Sequence, residues 1–286
     1  MQIAMKRNVI RRRLIEPKSN ADGDPDPRDG GVQSVNRALL IIETLAEDDE
    51  GYRLSDLAVR TGLSTSTVHR LLATLEKRRF VHFDRDESKW HVGAQSFSVG
   101  ATFARRRNFT AQAMPYLRKL RDQTRETANL AVVDDEAIIV LTRIESREIM
   151  RSLTKVGGRV AMVASGVGKA VLATYSDEDV NAIICRQGMP RLTEKSIVRP
   201  GELFRELEAV RRRGYAIDDE EARIGLRCVA AVVYNDCSEP LAAISVSGMT
   251  SRITDERLPV LGCIVRAVAA ELTVVLGGVM PVASKA

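Results

Sequence analysis

The sequence predicts an α+β protein in which a winged helix-turn-helix is joined by a linker helix to a second domain with an antiparallel sheet. Its 286 residues are enough for two hydrophobic cores. Residues 54–75 contain two helical patterns separated by a glycine. Beyond residue 124, strand and helix patterns alternate along the chain. We place the boundaries at 1–31 for a disordered tail, 32–94 for the winged helix-turn-helix, 95–108 for the linker helix and 109–286 for the second domain.

The tail of residues 1–31 mixes Lys and Arg with Asp, Pro and Gly. It has too little apolar surface to offset the entropy of ordering, and so we expect it to be disordered. It could add non-specific DNA affinity, or it could be an inert extension. The net charge of +5 and the pI near 9.1 permit a nucleic-acid partner without requiring one.

The helix-turn-helix pattern begins with a short helix over residues 54–61, which packs through Leu57. Gly62 follows as the turn, where a positive φ is favoured, and Ser64 is a suitable N-cap for the next helix. Apolar residues then recur at i, i+3, i+4 and i+7, the spacing of a core-facing helix stripe. They are Val68, Leu71, Leu72 and Leu75.

The other face of this second helix is polar or small, and its first turn has hydroxyls but no carboxylate. A helix start of this kind suits an approach to phosphate, and Arg70 can bond O6 and N7 of a guanine together. We predict that double-stranded DNA is contacted by Arg37, Ser64, Thr65, Ser66, His69 and Arg70. An ordinary helical hairpin inside an enzyme is the alternative interpretation.

Residues 80–83 and 90–92 are β-prone and flank a charged loop, which predicts the hairpin wing of a winged helix. Positive charge beside it, suited to phosphate contacts, comes from Arg78, Arg79, Arg85 and Lys89. Helical patterns then run over residues 93–107 and onward from Phe109. The first of these is the predicted linker helix.

The second domain shows five strand patterns and four helix patterns. The strands are predicted at 129–133, 137–144, 149–153, 227–234 and 241–247. The helices are predicted at 168–175, 177–186, 202–213 and 254–276, with Gly214 ending the third and Asp255 and Glu256 in the first turn of the fourth.

Composition excludes several classes of protein. No apolar region follows the N-terminal basic residues, which argues against a secretory signal. Arg266 and Glu271 interrupt the most apolar stretch, and so we expect no membrane span and a cytoplasmic protein. The four cysteines have no C-x-x-C spacing and no histidine nearby, which argues against a metal site and favours free thiols. No cofactor motif is present.

Small-ligand binding is the better prediction for the second domain, because all three histidines lie before it and no Ser-His-Asp or Cys-His arrangement is possible there. Gly166 and Gly168 precede a predicted helix, whose free N–H groups could receive a small anion. Ser245 and Ser247 share one face of a strand, although paired hydroxyls of this kind could equally face solvent.

Three other features of this domain are more simply explained without a catalytic or nucleotide-binding role. Cys228 could be a small core residue. Residues 166–169 lack the spacing and the Ser or Thr of a phosphate loop, since Ala170 follows the lysine. The acidic run 218–221 could hold a cation but is more typical of a solvated face.

Taken together, these motifs resemble the IclR family of bacterial transcription regulators. The resemblance extends from about residue 32 to residue 278 and rests on residues 32–37, 62–75, 166–172 and 214–248. Residues 225–228, 242–248 and 251–255 look like those of family members that control the glyoxylate bypass. The resemblance implies a homodimer or homotetramer on palindromic operator DNA, with a GAF-like effector-binding domain.

The resemblance also implies a repressor that senses a small 2-oxo acid such as glyoxylate or pyruvate. The ligand would be held by the backbone of Gly166 and Val167 and by side chains of Asp218, Cys228, Ser245 and Ser247. Apolar walls would come from Ile149, Val160 and Leu226. The alternatives are an activator or repressor of aromatic-acid catabolism and, more remotely, a ligand-processing enzyme.

Three departures from the family pattern bear on the ligand and the wing. Ser152 stands where the family has a methionine wall, and Ala161 and Val163 replace a proline and a histidine. A smaller, more polar wall could admit a larger or more hydrated acid. Arg79 replaces a glycine before the wing.

Overall fold

The computed structural model describes residues 31–106, 109–134, 137–146 and 155–281. The chain divides into two compact units, residues 1–99 and 100–286, and the division falls inside helix α4 (Ala94–Arg106). The predicted boundaries at 94/95 and 108/109 remain predictions. The predicted tail and the predicted strand at 149–153 lie outside the described residues, apart from Gly31.

From residue 31 on, the first unit contains three helices and a hairpin before α4: α1 (Gln33–Leu45), α2 (Leu54–Thr61), α3 (Thr65–Lys77), β1 (Val81–Asp84) and β2 (Lys89–Val92). The two strands pair antiparallel, with Phe83 opposite Trp90. Tyr52 adds an isolated bridge to Trp90 on the hairpin's other edge. The core of this unit is built from Ile41, Leu45, Tyr52, Leu57, Val68, Leu72, Val81 and Trp90. The predicted winged helix-turn-helix is therefore confirmed.

The second unit begins with α5 (Phe109–Thr124), β3 (Thr127–Asp134), β4 (Ala137–Ile144) and β5 (Arg159–Val160). Three helices follow, α6 (Gly166–Leu172), α7 (Asp177–Gln187) and α8 (Pro200–Arg213). The chain then forms β6 (Ala216–Asp219), β7 (Leu226–Tyr234), β8 (Pro240–Met249) and α9 (Arg257–Val275). The strands make one antiparallel sheet in the order β5-β4-β3-β8-β7-β6, which confirms the α+β class.

The two faces of this sheet are covered by different helices. On one face, alternate residues of β3, β7 and β8 join α5 and α9 in a large apolar cluster. On the opposite face, which we call the second face, Ala131, Val232 and Ala243 pack with residues of α6, α7 and α8. Toward the start of β3 the second face changes from apolar to polar residues, and the candidate site lies there.

Several predicted elements need correction. The short strands β5 and β6 were not predicted, because two and four residues give too little alternation to recognise. Helix α6 begins at Gly166, not at residue 168, and it ends at Leu172. Helix α9 begins at Arg257, so Asp255 and Glu256 precede its first turn.

Within the described part of the chain, α9 is the helix whose length and composition would suffice to cross a membrane, with a mean hydropathy of 1.9. Arg266 and Glu271 alone therefore do not exclude a span, contrary to the reasoning from sequence. In the structure one face of α9 is buried on the sheet, and Glu271 forms an ion pair with Lys119 of α5. Only part of the apolar surface of α9 is accounted for by this core, since Val260, Val274 and Val275 are exposed.

Candidate functional site

Helix α3 presents a polar, exposed face because its apolar stripe is turned into the core. Val68 and Leu72 are buried, whereas Ser66, His69 and Arg70 are exposed. Gly62 ends α2 with a φ of 66°, the left-handed conformation that favours glycine. The predicted turn and core face are both confirmed.

Ser64 caps α3, as its sequence position predicts. Its Oγ accepts a hydrogen bond from the backbone N–H of Thr67 at 3.3 Å and lies 3.1 Å from Ser66 Oγ. The hydroxyl of Ser64 is thus engaged within the first turn of the helix. Thr65 is exposed beside it, and Arg37 of α1 is half-buried.

The wing carries less positive charge than its arginines alone predict. Its turn also contains Asp84, Asp86 and Glu87, and Lys89 forms a 3.2 Å ion pair with Glu87. Asp84 accepts hydrogen bonds from the N–H groups of Glu87 and Asp86, and these bonds lower the pKa of its carboxyl. Arg85 is the exposed cation of the hairpin turn.

Arg79 has a φ of 60°, so a non-glycine residue occupies the left-handed region just before the wing. This backbone conformation explains why a glycine would be usual at the position.

The second face of the sheet ends in a cluster of polar side chains. Strand pairing aligns Asn129 with Ser245 and Cys228 with both Ser247 and Asp218. Because directly paired residues of antiparallel strands share a face, all five side chains point to the same side. We call this group the polar end; it consists of Asn129, Asp218, Cys228, Ser245 and Ser247.

Burial within the polar end is graded. Ser245 is 1% exposed and Asp218 4% exposed, whereas Ser247 and Cys228 are half-buried. The interpretation of the serine hydroxyls as solvent-facing is therefore wrong for Ser245, whereas Ser247 is partly exposed. The expectation of a solvated acidic run is also wrong for two of its four members, since Asp218 and Glu221 are both buried.

Helix α6 begins directly against the polar end. A Cβ on Gly166 would lie 3.2 Å from Cys228 Sγ and 3.5 Å from Asp218 N, so glycine allows the helix to approach the sheet this closely. Both glycines lie inside the helix, not before it, and the N–H of Gly168 donates to the cap Ser165 Oγ at 3.0 Å. The N–H groups of Gly166 and Val167 are those at the helix start that have no intrahelical acceptor.

A buried ion pair lies beneath this helix. Lys169 is completely buried and its Nζ donates to Glu221 Oε1, with Glu206 Oε1 at 3.8 Å. This lysine faces the protein interior and is not available to a phosphate, which agrees with the rejection of a phosphate loop. Because a buried cation requires a partner, Lys169 ties α6 to the loop after β6.

Burial raises the pKa of two groups in the polar end. Burial, together with the nearby Glu221 carboxylate, raises the pKa of Asp218 to about 6. Two backbone N–H groups, of Glu221 and Ala222, donate to its Oδ1 at 2.8 and 3.3 Å. Burial also raises the pKa of the Cys228 thiol to about 12, and so this thiol stays protonated.

The predicted apolar walls are only partly described. Val160 of β5 and Leu226 of β7 are both half-buried, and Val160 packs against the second-face cluster. Ile149 and Ser152 lie outside the described residues. The four cysteines are free thiols, and among the described residues no group of three or more His, Cys, Asp or Glu could hold a metal.

Comparison with known proteins identifies the two units. Residues 34–85 match the IclR helix-turn-helix domain, and residues 101–274 match the bacterial transcriptional regulator IclR C-terminal domain. The chain belongs to the IclR family. It is therefore a DNA-binding regulator of transcription with a C-terminal effector domain.

Relatives of this IclR-family regulator cover nearly its whole length. The acetate operon repressor of Salmonella typhimurium is 42% identical over 254 residues, 88% of this chain and 93% of the relative. The HTH-type transcriptional repressor AllR of Escherichia coli is 33% identical, covering 86% and 91%. An IclR regulator structure from Alicyclobacillus acidocaldarius superposes with a TM-score of 0.72 at 26% identity, covering 86% and 100%.

Three residues of this IclR-family site were not predicted from the sequence. Asn129 was treated only as the first residue of a strand, and Lys169 only as part of a failed phosphate motif. Glu221 was assigned to a solvated run. One signal was available for Asn129: polar residues at 127 and 129 alternate with apolar ones at 128 and 130, as the serines do in β8.

Proposed function

We propose that this regulator is a repressor whose operator affinity is controlled by a small 2-oxo acid, glyoxylate or pyruvate, bound at the polar end. Each subunit of a homodimer or homotetramer would read one operator half-site. The observation that carries the proposal is the meeting of the four polar residues with the start of α6. These residues are Asp218, Cys228, Ser245 and Ser247.

The chemistry of this cluster suits a small carboxylate. The N–H groups of Gly166 and Val167, with the positive end of their helix, provide donors for an anion. Hydroxyls of Ser245 and Ser247 add two more. Protonated Asp218 can donate from the same side, and its raised pKa makes that form accessible near neutral pH. Val160 and Leu226 would provide apolar contacts, as would Ile149.

For the DNA contacts, we propose that Thr65, Ser66, His69 and Arg70 enter the major groove. Support comes from the exposure of all four on one helix and from the absence of carboxylates in its first turn. Arg37 and the capped start of α3 at Ser64 would contact phosphates.

Calorimetric titration of the full chain with glyoxylate and with pyruvate, each with and without operator DNA, tests the proposal. We expect saturable binding of at least one acid and an equal, reciprocal change in DNA and ligand affinity. Ser245→Ala should weaken ligand binding roughly tenfold or more, since a hydrogen bond to a charged group contributes about 1.5–3 kcal/mol. Ser251→Ala, at an exposed position outside the cluster, is the matched control.

If neither acid binds, the proposal is refuted. The two relatives described above, at 42% and 33% identity, are named as repressors, one of them of the acetate operon, and they do not favour the aromatic-acid alternative. A turnover assay with the same acids addresses the remote enzyme alternative. We expect the acids to be recovered unchanged.

A further inference from the structure

Asn129 makes an incomplete set of hydrogen bonds at a buried position. Its Nδ2 donates to Ser245 Oγ and to Ser247 Oγ, both at 3.3 Å. Its Oδ1 is fully buried, and no residue in the described part of the chain donates to it. The residue as a whole is 8% exposed. A buried acceptor left without a donor costs roughly 1–3 kcal/mol, and so its persistence calls for a partner.

The arrangement also fixes what the neighbouring hydroxyls can do. Because each serine oxygen accepts a hydrogen bond from Asn129, the O–H group of each serine is directed elsewhere and can donate. The polar end thus presents donors from Ser245 and Ser247 and an acceptor from Asn129. A bare carboxylate satisfies the donors but offers nothing to the acceptor. A ligand with both a carboxylate and a hydroxyl satisfies both.

We infer that Asn129 is a specificity-determining residue whose Oδ1 accepts a hydrogen bond from a hydroxyl on the carbon next to the ligand's carboxylate. This inference rests on the proposed function and narrows its ligand class. The fitting ligands are the hydrated form of an aldehyde acid, of which glyoxylate is the smallest, and the 2-hydroxy acids. Hydration adds water across the C=O bond, so that one oxygen becomes two hydroxyls. Pyruvate, a ketone that hydrates less readily, fits less well.

Pairs of acids that differ only in the hydroxyl provide the test. Acetate and glycolate have the same carbon skeleton and carboxylate, and glycolate adds one hydroxyl. For the wild-type full chain we expect calorimetry to give glycolate an affinity roughly tenfold or more above that of acetate, the ratio expected for one good hydrogen bond. Glyoxylate should also bind more tightly than pyruvate, although this second pair differs by a methyl group as well as by its degree of hydration.

In Asn129→Leu, which keeps the branched shape of the side chain, the glycolate-to-acetate ratio should fall to near one and the glyoxylate-to-pyruvate ratio should also fall. Asn129→Ala provides a second variant should the leucine disturb packing, and operator binding by each variant verifies that it is folded. Ser251→Ala, at an exposed position outside the polar end, is the control and should leave both affinities and their ratio unchanged.

The possible failures are distinguishable. If no small carboxylate binds the wild type, the proposed function fails and this inference with it. If carboxylates bind but acetate equals or exceeds glycolate, the inference alone is overturned, since the amide would then be presenting its NH₂ group to the ligand. An undiminished ratio in both Asn129 variants would also overturn it.

Discussion

Replacing Asp218 by Asn should stabilise the effector unit at neutral pH, although it removes an ionisable group of the proposed site. Raising the pKa of Asp218 from 3.8 to about 6 corresponds to about 3 kcal/mol, at roughly 1.4 kcal/mol per pKa unit. The sign follows from proton binding. Between these two values the folded state holds more protons than the unfolded state, and so the free energy of unfolding falls as pH rises.

The variant removes this loss because asparagine cannot ionise. Its amide oxygen can still accept the hydrogen bonds that Glu221 and Ala222 donate to Asp218 Oδ1. We therefore expect Asp218→Asn to exceed the wild type by about 3 kcal/mol at pH 8 and by less than about 1 kcal/mol at pH 4. The stability advantage of the variant should disappear as pH falls from the pKa of Asp218 in the folded state to its pKa in the unfolded state.

Hydrogen exchange of peptides from β6 and β7 is a suitable assay, since it reports the second unit separately from the first. Wild type and variant are compared at the same pH, which cancels the intrinsic pH dependence of exchange. Asp219→Asn is the control, because Asp219 has the opposite shift. Burial raises the pKa of Asp219, but hydrogen bonds from Arg227 and Lys195 outweigh burial and lower that pKa. Removing the Asp219 carboxylate should therefore lower the free energy of unfolding at pH 8.

The reasoning would be refuted if Asp218→Asn were no more stable than wild type at pH 8, or if its advantage in stability were the same at pH 4.

A second measurement concerns the pH dependence of ligand binding. An anion beside Asp218 favours the protonated acid, so the wild type should bind glyoxylate about tenfold more weakly at pH 8 than at pH 7. Asp218→Asn should show little pH dependence over this range.

Three further predictions concern the buried pair, the glycine segment and the DNA surface. Lys169→Met should cost about 3–5 kcal/mol in unfolding free energy because it strands the Glu221 carboxylate, and adding Glu221→Leu should recover most of that loss in urea titrations. Gly168→Ala should prevent normal folding of the second unit, because the added Cβ would collide with the Met162 backbone, whereas Gly201→Ala, with open space around it, should leave circular dichroism and melting unchanged. Arg70→Ala should lose about 1–3 kcal/mol of operator affinity and relax preference at one base, measured by fluorescence anisotropy against a scrambled duplex; an equal loss on both duplexes would contradict a base contact.

Sequence periodicity predicted the elements whose packing depends on local pattern. Helix α3 has a full apolar stripe, a hydroxyl cap at Ser64 and a turn at Gly62, so each local signal agrees with the next. Helix α8 likewise ends at Gly214, which has a φ of 77°. Strands β5 and β6 were missed because their positions depend on pairing with distant partners, which no local pattern records.

The candidate site was predictable only in part, for a similar reason. The hydroxyls of Ser245 and Ser247 were predictable, because alternation within one strand places both on the same face. The role of Asn129 depends on its alignment with Ser245, 116 residues away, and that of Lys169 on Glu221, 52 residues away. Contacts of this kind depend on the register of the sheet and on how α6 packs against it. They cannot be predicted from composition or from spacing along the chain.

The charges around α6 suggest how an anionic ligand of the proposed site would be compensated: by protonation of Asp218 and not by a basic side chain. Lys169 is fully buried and forms an ion pair with Glu221, so its charge is already neutralised within the fold. Among the described residues, those that strand pairing places in the polar end include no lysine or arginine. In the proposed site, neutral donors and protonated Asp218 would then hold the carboxylate. Such a site gains affinity from hydrogen-bond geometry more than from net charge, and this favours discrimination among small acids that all carry the same charge.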